Sequence, residues 1–290
     1  MTQYLVNAFA EDAFAGNPAA VCILNGPREA SPIGFQCWPS DAQMQQIAKE
    51  NNLSETAFCL CLNNNQSEPH FHIRWFTPGC EVELCGHATL ATSYVLFKYY
   101  FKEAVTLHFK SRSGDLHIKR KCVGDDFMVI MDFPAYGLEK VTDASETEAV
   151  LQAIAGSGSS LERNRVKEIW KGIDYVAVLD DAKDVIGFKP DFKRIASLPR
   201  AHNLLITSSF RTDQESTTAN YDFVSRCFFP KEAIDEDPVT GSAHCTLGPL
   251  WSKKLGKTEL TAYQASARGG ILHLKISEDR VLIGGKVRED

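Results

Sequence analysis

A chain of 290 residues, of which 44% are apolar and 23% charged, has the length and composition for two soluble domains of roughly 100–150 residues, each with its own core. A net charge of -6 gives no general attraction for nucleic acid or an anionic membrane surface, and neither is expected as a partner. Nine cysteines without a regular framework, a start lacking a charged-then-apolar leader, and no apolar stretch long enough to cross a bilayer point to a reduced, cytoplasmic protein.

In chain order, residues 4–8 and 19–24 read as short strands joined through Gly16-Asn17-Pro18. Ser40-Asp41-Ala42-Gln43 has capping-box spacing and opens a helix with Met44, Ile47 and Ala48 on one face. That helix frays at Asn51-Asn52. Residues 55–62 and the stretch ending at Phe76 read as strands, residues 87–100 as a helix, and residues 105–121 as a hairpin turning at Gly114-Asp115. The second half begins with a strand at 127–133 and a helix opened by Ser145-Glu146-Thr147-Glu148 and stopped at Gly156. Strands follow at 175–179, 203–207 and 222–229, then a helix at 242–254 and a final hairpin, 271–276 with 281–287. The junction between halves is expected near Val123-Gly124.

A repeat organises these elements. Phe71-His72-Ile73-Arg74-Trp75-Phe76-Thr77-Pro78 returns 152 positions later as Phe223-Val224-Ser225-Arg226-Cys227-Phe228-Phe229-Pro230. Phe, Arg, Phe and Pro occupy matching places. Each copy leads into a small-residue turn that opens a helix, Cys85-Gly86-His87-Ala88 and Thr240-Gly241-Ser242-Ala243. Two related lobes follow from this pattern, with a cleft between them as the expected place for a small ligand.

Three groups of residues could carry chemistry. Glu55 stands where a helix gives way to a strand, and a carboxylate there can serve as general acid or base, or simply sit on the surface beside a helix end. The turns at Gly86-His87 and Gly241-Ser242 present free N–H groups and the positive end of a helix dipole, which suit an acidic substrate; packed helix starts are the plainer reading. Asp237 precedes the second turn and can bond ligand or cap backbone. His70, His72, Cys80, Cys85 and His87 include metal-ligand types, but their spacing matches no structural zinc pattern and no metal is expected. Nothing matches a dinucleotide fingerprint or a phosphate loop.

These motifs in this order resemble the PhzF-type phenazine-biosynthesis family. The resemblance is carried by Gly16-Asn17-Pro18-Ala19-Ala20-Val21, residues 52–58, Arg74-Trp75-Phe76-Thr77-Pro78, Cys85-Gly86-His87-Ala88-Thr89 and Glu236-Asp237-Pro238-Val239-Thr240-Gly241-Ser242-Ala243. It implies an α+β, diaminopimelate-epimerase-like fold of two pseudo-symmetric lobes, each a mostly antiparallel sheet wrapped around a central helix. The lobes would be residues 1–124, joined by a returning strand at about 279–290, and residues 125–278. It also implies a cofactor-independent homodimer acting on a small acidic, amino- or hydroxy-acid-like substrate. By position, Glu55 is the family's acid–base glutamate, while His87, Asp237 and Ser242 surround the substrate with Gly86 and Gly241. The related two-thiol epimerases carry a cysteine before each glycine turn. Here Cys85 holds the first such place and Thr240 the second, so one base on one face is expected. A two-base epimerase using Cys85, and a catalytically silent binding protein of the same fold, are the alternatives. Aligning Asn52-Leu53 with Asn203-Leu204 sets Ile206 opposite Glu55.

Overall fold

The structure, a computed structural model, describes residues 1–24, 38–63, 65–156, 161–199, 203–210 and 220–289. The chain divides into two compact units, Met1–Asp132 with Leu282–Asp290, and Phe133–Val281. Among the described residues no helix is long and apolar enough to cross a membrane.

The first unit contains β1 (Thr2–Ala8), β2 (Asn17–Ile23), α1 (Asp41–Asn51), β3 (Glu55–Cys61), β4 (His70–Phe76), β5 (Glu81–Val82), α2 (Gly86–Val95), β6 (Thr106–Ser111), β7 (Gly114–Val123) and most of β8 (Asp126–Pro134). Parallel pairs β2–β3 and β4–β6 interrupt an otherwise antiparallel arrangement. The capping box at Ser40 forms in full, and Met44 and Ala48 are the buried face of α1. α2 is the central helix. Every residue from His87 to Val95 is buried, so its hydroxyls must find partners within the helix itself. They do: Thr89 donates to the Cys85 carbonyl, Thr92 to Ala88 and Ser93 to Thr89, at 2.6, 2.7 and 2.8 Å.

The second unit contains β9 (Glu139–Lys140), α3 (Ala144–Ala155), β10 (Val166–Lys171), β11 (Tyr175–Leu179), α4 (Ala182–Ile186), α5 (Phe192–Ala196), β12 (Leu204–Ser209), β13 (Phe223–Phe229), β14 (Ile234–Asp237), α6 (Gly241–Leu255), β15 (Glu259–Gln264), β16 (Gly270–Ser277) and the start of β17 (Arg280–Gly285). β18 (Val287–Glu289) closes the chain by pairing with β1 in the first unit. The strand series β11–β12–β13–β15 repeats the parallel, antiparallel, parallel order of β2–β3–β4–β6. α6 is the counterpart of α2 and holds Pro249 in its interior. Proline lacks the N–H that would reach the Cys245 carbonyl; the Tyr136 N–H takes that carbonyl instead, at 3.0 Å.

Three sequence expectations need correction. The division falls within β8, because β7 and β8 pair from Val123↔Asp126 through Ile118↔Met131 and keep this hairpin with the first unit. α3 is capped by Asp143, whose carboxylate accepts from the Ser145 and Glu146 N–H groups. A charged acceptor two residues upstream thus takes the place expected of Ser145, and Glu148 pairs with Arg163. The third concerns the repeat. Phe58 lies opposite Arg74 and Ile206 opposite Arg226, so the counterpart of Glu55 is Asn203, not Ile206.

Candidate active site

The repeated Phe–Arg–Phe motif builds the platform for each helix turn. Phe71, Phe76, Phe223 and Phe228 are core residues. Each arginine grips a glutamate on the next strand with two charge-assisted hydrogen bonds. Arg74 donates to both Glu81 oxygens at 2.7 Å, and Arg226 donates to the Glu236 oxygens at 2.7 and 2.8 Å. The residue four positions beyond each glutamate is the helix N-cap, Cys85 in α2 and Thr240 in α6. Neither makes a side-chain capping bond, so the first-turn N–H groups of both helices are not closed off by their own caps.

In the first unit this turn meets Glu55. α1 ends at Asn52 in the left-handed conformation, φ 49°, and the chain re-enters the sheet with Glu55 as the first residue of β3, beside Ala19 of β2. Asn51 fixes the entry by donating to the Thr56 hydroxyl at 3.0 Å. The Glu55 side chain is 12% exposed, and its Oε2 lies 3.3 Å from His87 Nε2. On the other edge of the imidazole, Nδ1 is 3.5 Å from Cys85 Sγ. Burial pushes the His87 pKa down to about 4, so the ring is neutral at pH 7 and can exchange a proton at either nitrogen. Sequence reasoning singled out these three residues separately; the fold gathers them into one carboxyl–imidazole–thiol cluster. Their ligand-type atoms all lie within 4.8 Å of one another. Thiolate, imidazole and carboxylate form a zinc-type donor set, so these three residues could hold a metal. His70 and His72 lie along β4, and exposed Cys80 sits at the Thr77 turn.

In the second unit the corresponding turn is bound up by its neighbours. The Thr240 hydroxyl donates to Asp237 Oδ2 at 2.5 Å and accepts from the Gln264 amide at 3.1 Å. Gln264 also accepts from the Thr240 N–H and donates to the Asp237 carbonyl, both at 2.8 Å. His244 Nδ1 lies 2.7 Å from the Thr240 carbonyl. A carbonyl only accepts, so the proton is on Nδ1, and Nε2 faces Ser225 Oγ at 3.4 Å. Asp237 is buried at the end of β14, and Ser242 is exposed in the first turn of α6. No sequence motif marks Gln264, which ties this network together. Nothing around it signals its role, because β15 reaches the turn only through its parallel pairing with β13.

Overlaying the two strand and helix registers pairs Glu55 with Asn203, Cys85 with Thr240 and His87 with Ser242. At all three positions the first unit has a titratable side chain and the second does not. Asn203 is buried and donates to Glu232 at 2.9 Å.

Comparison with known proteins agrees with this architecture. The family model PhzC-PhzF, described as phenazine biosynthesis-like protein, matches residues 6–287. An uncharacterized isomerase of Pseudomonas aeruginosa is 39% identical, over 99% of this chain and 95% of its own length. The mouse phenazine biosynthesis-like domain-containing protein 2 is 37% identical over 97% and 94%. The crystal structure of a PhzF family protein from Enterococcus faecalis matches with a TM-score of 0.80 and 41% identity, covering 99% of this chain and 95% of that one.

Proposed function

The chain belongs to the PhzC-PhzF family of phenazine biosynthesis-like proteins, and from that footing we propose that it is an isomerase in which Glu55 moves a proton on a small acidic, amino- or hydroxy-acid-like substrate. The observation that carries the proposal is the inequality of the two pseudo-equivalent sites: Glu55, Cys85 and His87 in the first unit correspond by register to Asn203, Thr240 and Ser242 in the second. A single carboxylate that accepts a proton from an activated carbon and returns it to another needs no partner base. Neutral His87 beside it can bond substrate or share the proton without adding a competing charge. The N–H groups at Gly86 and His87, with the positive end of the α2 dipole, are suited to a substrate carboxylate. Asp237, Gly241 and Ser242 are proposed as further substrate-binding residues. An epimerase with one base in each unit is less well supported. Thr240 stands where the second thiol would be, and its hydroxyl is engaged by both Asp237 and Gln264.

The test is hydrogen exchange into ligand. A panel of small amino and hydroxy acids, cyclic and unsaturated ones included, is incubated with the protein in heavy water and followed by mass spectrometry. Wild type should wash deuterium into at least one compound, Cys85→Ala should retain the exchange, and Glu55→Gln should lose about 10²–10⁴-fold in rate. Loss in Cys85→Ala with exchange intact in Glu55→Gln would transfer the chemistry to the thiol. No exchange by wild type with any compound would leave a binding protein.

A further inference from the structure

Away from the candidate active site, three histidines lie side by side on neighbouring strands of the first unit. His70 of β4 is in register with His108 of β6, and His108 with His117 of β7. Residues directly opposite on adjacent strands present their side chains on one face of the sheet. The His70 and His108 rings stack at 4.7 Å and 16°, whereas His108 and His117 meet at 75° with Nδ1 atoms 2.8 Å apart. His108 and His117 also line a groove of about 540 Å³ with Glu68, Lys119 and Asp132. His117 is exposed and His108 half-buried, so the pair is open to solvent.

We propose that His108 and His117 form a bidentate site for a divalent transition-metal ion of the nickel and copper type, at the edge of this groove. Imidazole nitrogens bind such ions at roughly 2.0–2.1 Å, which places two of them about 2.9 Å apart at a right-angled bond and about 3.3 Å apart at a tetrahedral one. The observed 2.8 Å fits the right-angled case, the geometry of square-planar and octahedral ions. Nitrogen lone pairs lie in the ring plane. The nearly parallel rings of His70 and His108 therefore do not converge on one ion, while the crossed rings of His108 and His117 do. His70 is a positioning residue that holds the His108 ring by stacking. In the empty site one Nδ1–H donates to the other Nδ1. Binding moves that proton to Nε2 of its own ring, freeing both Nδ1 lone pairs for the ion without net proton release. The remaining coordination positions would be left to water from the groove that both histidines line.

Protein without an affinity tag, titrated with Ni(II) by calorimetry, should bind one equivalent at this pair. His108→Asn and His117→Asn should each weaken binding by about tenfold or more, with unchanged circular dichroism showing that the sheet is intact. His70→Phe, which keeps a stacked ring, and Cys85→Ala, which disables the thiol cluster, should both retain binding. With Cu(II), the nitrogen hyperfine pattern in electron paramagnetic resonance should show two imidazoles in wild type and lose one in either asparagine variant. Absence of binding by wild type at micromolar Ni(II), or binding that survives both asparagine variants, would overturn the proposal. So would loss of binding in Cys85→Ala alone.

Discussion

Replacing His244 by glutamine should flatten the second unit's response to acid. His244 is fully buried, packed against Phe223 at 5.8 Å, with its Nδ1 proton committed to the Thr240 carbonyl. Burial is the main cause that pushes its pKa from the usual 6.5 down to about 4, the bond to the Thr240 carbonyl opposing it in part. Each pKa unit is worth about 1.4 kcal/mol, so the gap amounts to about 3 kcal/mol. The direction follows from proton counting. Between pH 6.5 and 4 the unfolded chain binds the proton more readily than the folded one, so stability rises with pH in that window. The contribution is complete above about pH 6.5 and is lost as pH falls toward 4. Glutamine can still donate an amide hydrogen to Thr240 but has nothing to titrate. Hydrogen exchange of α6 peptides, followed from pH 7.5 to 4, should show protection falling steeply in wild type and much less in His244→Gln. Peptides of α2, which carry buried His87 (also pushed down to about 4), should respond alike in both proteins and serve as the internal control. A variant whose α6 protection still falls as steeply as wild type would refute the reasoning.

Two further predictions separate residues that look alike. Arg226→Met should destabilise by about 2–4 kcal/mol, because it leaves the partly buried charge of Glu236 without its partner and removes the buried donor to the Phe188 carbonyl. Arg74→Met should cost only about 1–2 kcal/mol, since Glu81 keeps Arg112 at 2.7 Å; equal losses in urea denaturation would contradict this. Gly16→Ala should cost about 2–4 kcal/mol. Its φ is +77°, and a Cβ would stand 2.3 Å from the Ala8 carbonyl oxygen, with no flexible side chain able to yield. Gly114→Ala, at φ +107° with open space around it, should lose only the backbone-strain part, and similar melting temperatures for the two variants would defeat the packing argument.

Local signals made much of the frame legible in the sequence. The Ser40–Gln43 box is read correctly because both partners lie within one turn and nothing upstream competes. At Ser145 the same pattern misleads, because Asp143 is a stronger acceptor for the same N–H groups. The short helices α4 and α5 escaped notice. Each has a single turn of apolar residues, too little for a period, and only Asp181 and Asp191 announce them. The site divides in the same way. The glycine turns are visible as motifs, but spacing alone does not join Glu55 to a histidine 32 positions away. That contact depends on β2 and β3 running parallel beside α2, and only the family resemblance pointed to it. The shared Asn-Leu dipeptide points to Ile206, whereas strand register makes Asn203 the counterpart of Glu55. The arginine in each repeat is the better anchor, since its fork to glutamate fixes where the neighbouring strand must pass.

The two units share what is needed to build a turn and differ in the titratable side chains placed around it. The arginine fork, the glutamate four residues before the cap, the glycine and the following alanine recur in both. These residues set backbone geometry, and any change in one unit is penalised by folding alone. The cap residue, the residue after glycine and the residue at the mouth of β3 or β12 lie outside this shared frame, and there the units part. In the second unit these places hold neutral hydrogen-bonding groups, with Thr240 bonded to Asp237 and Gln264 and Asn203 to Glu232. Such a turn can orient a ligand, but its nearest carboxylate, Asp237, already accepts from the Thr240 hydroxyl. In the first unit the carboxyl, imidazole and thiol lie in sequence, with gaps of 3.3 and 3.5 Å, and a proton has somewhere to go. On the proposed reading, removal and return of the proton are both tasks of this one cluster. The product is then set by which substrate carbon is presented to Glu55 when the proton comes back.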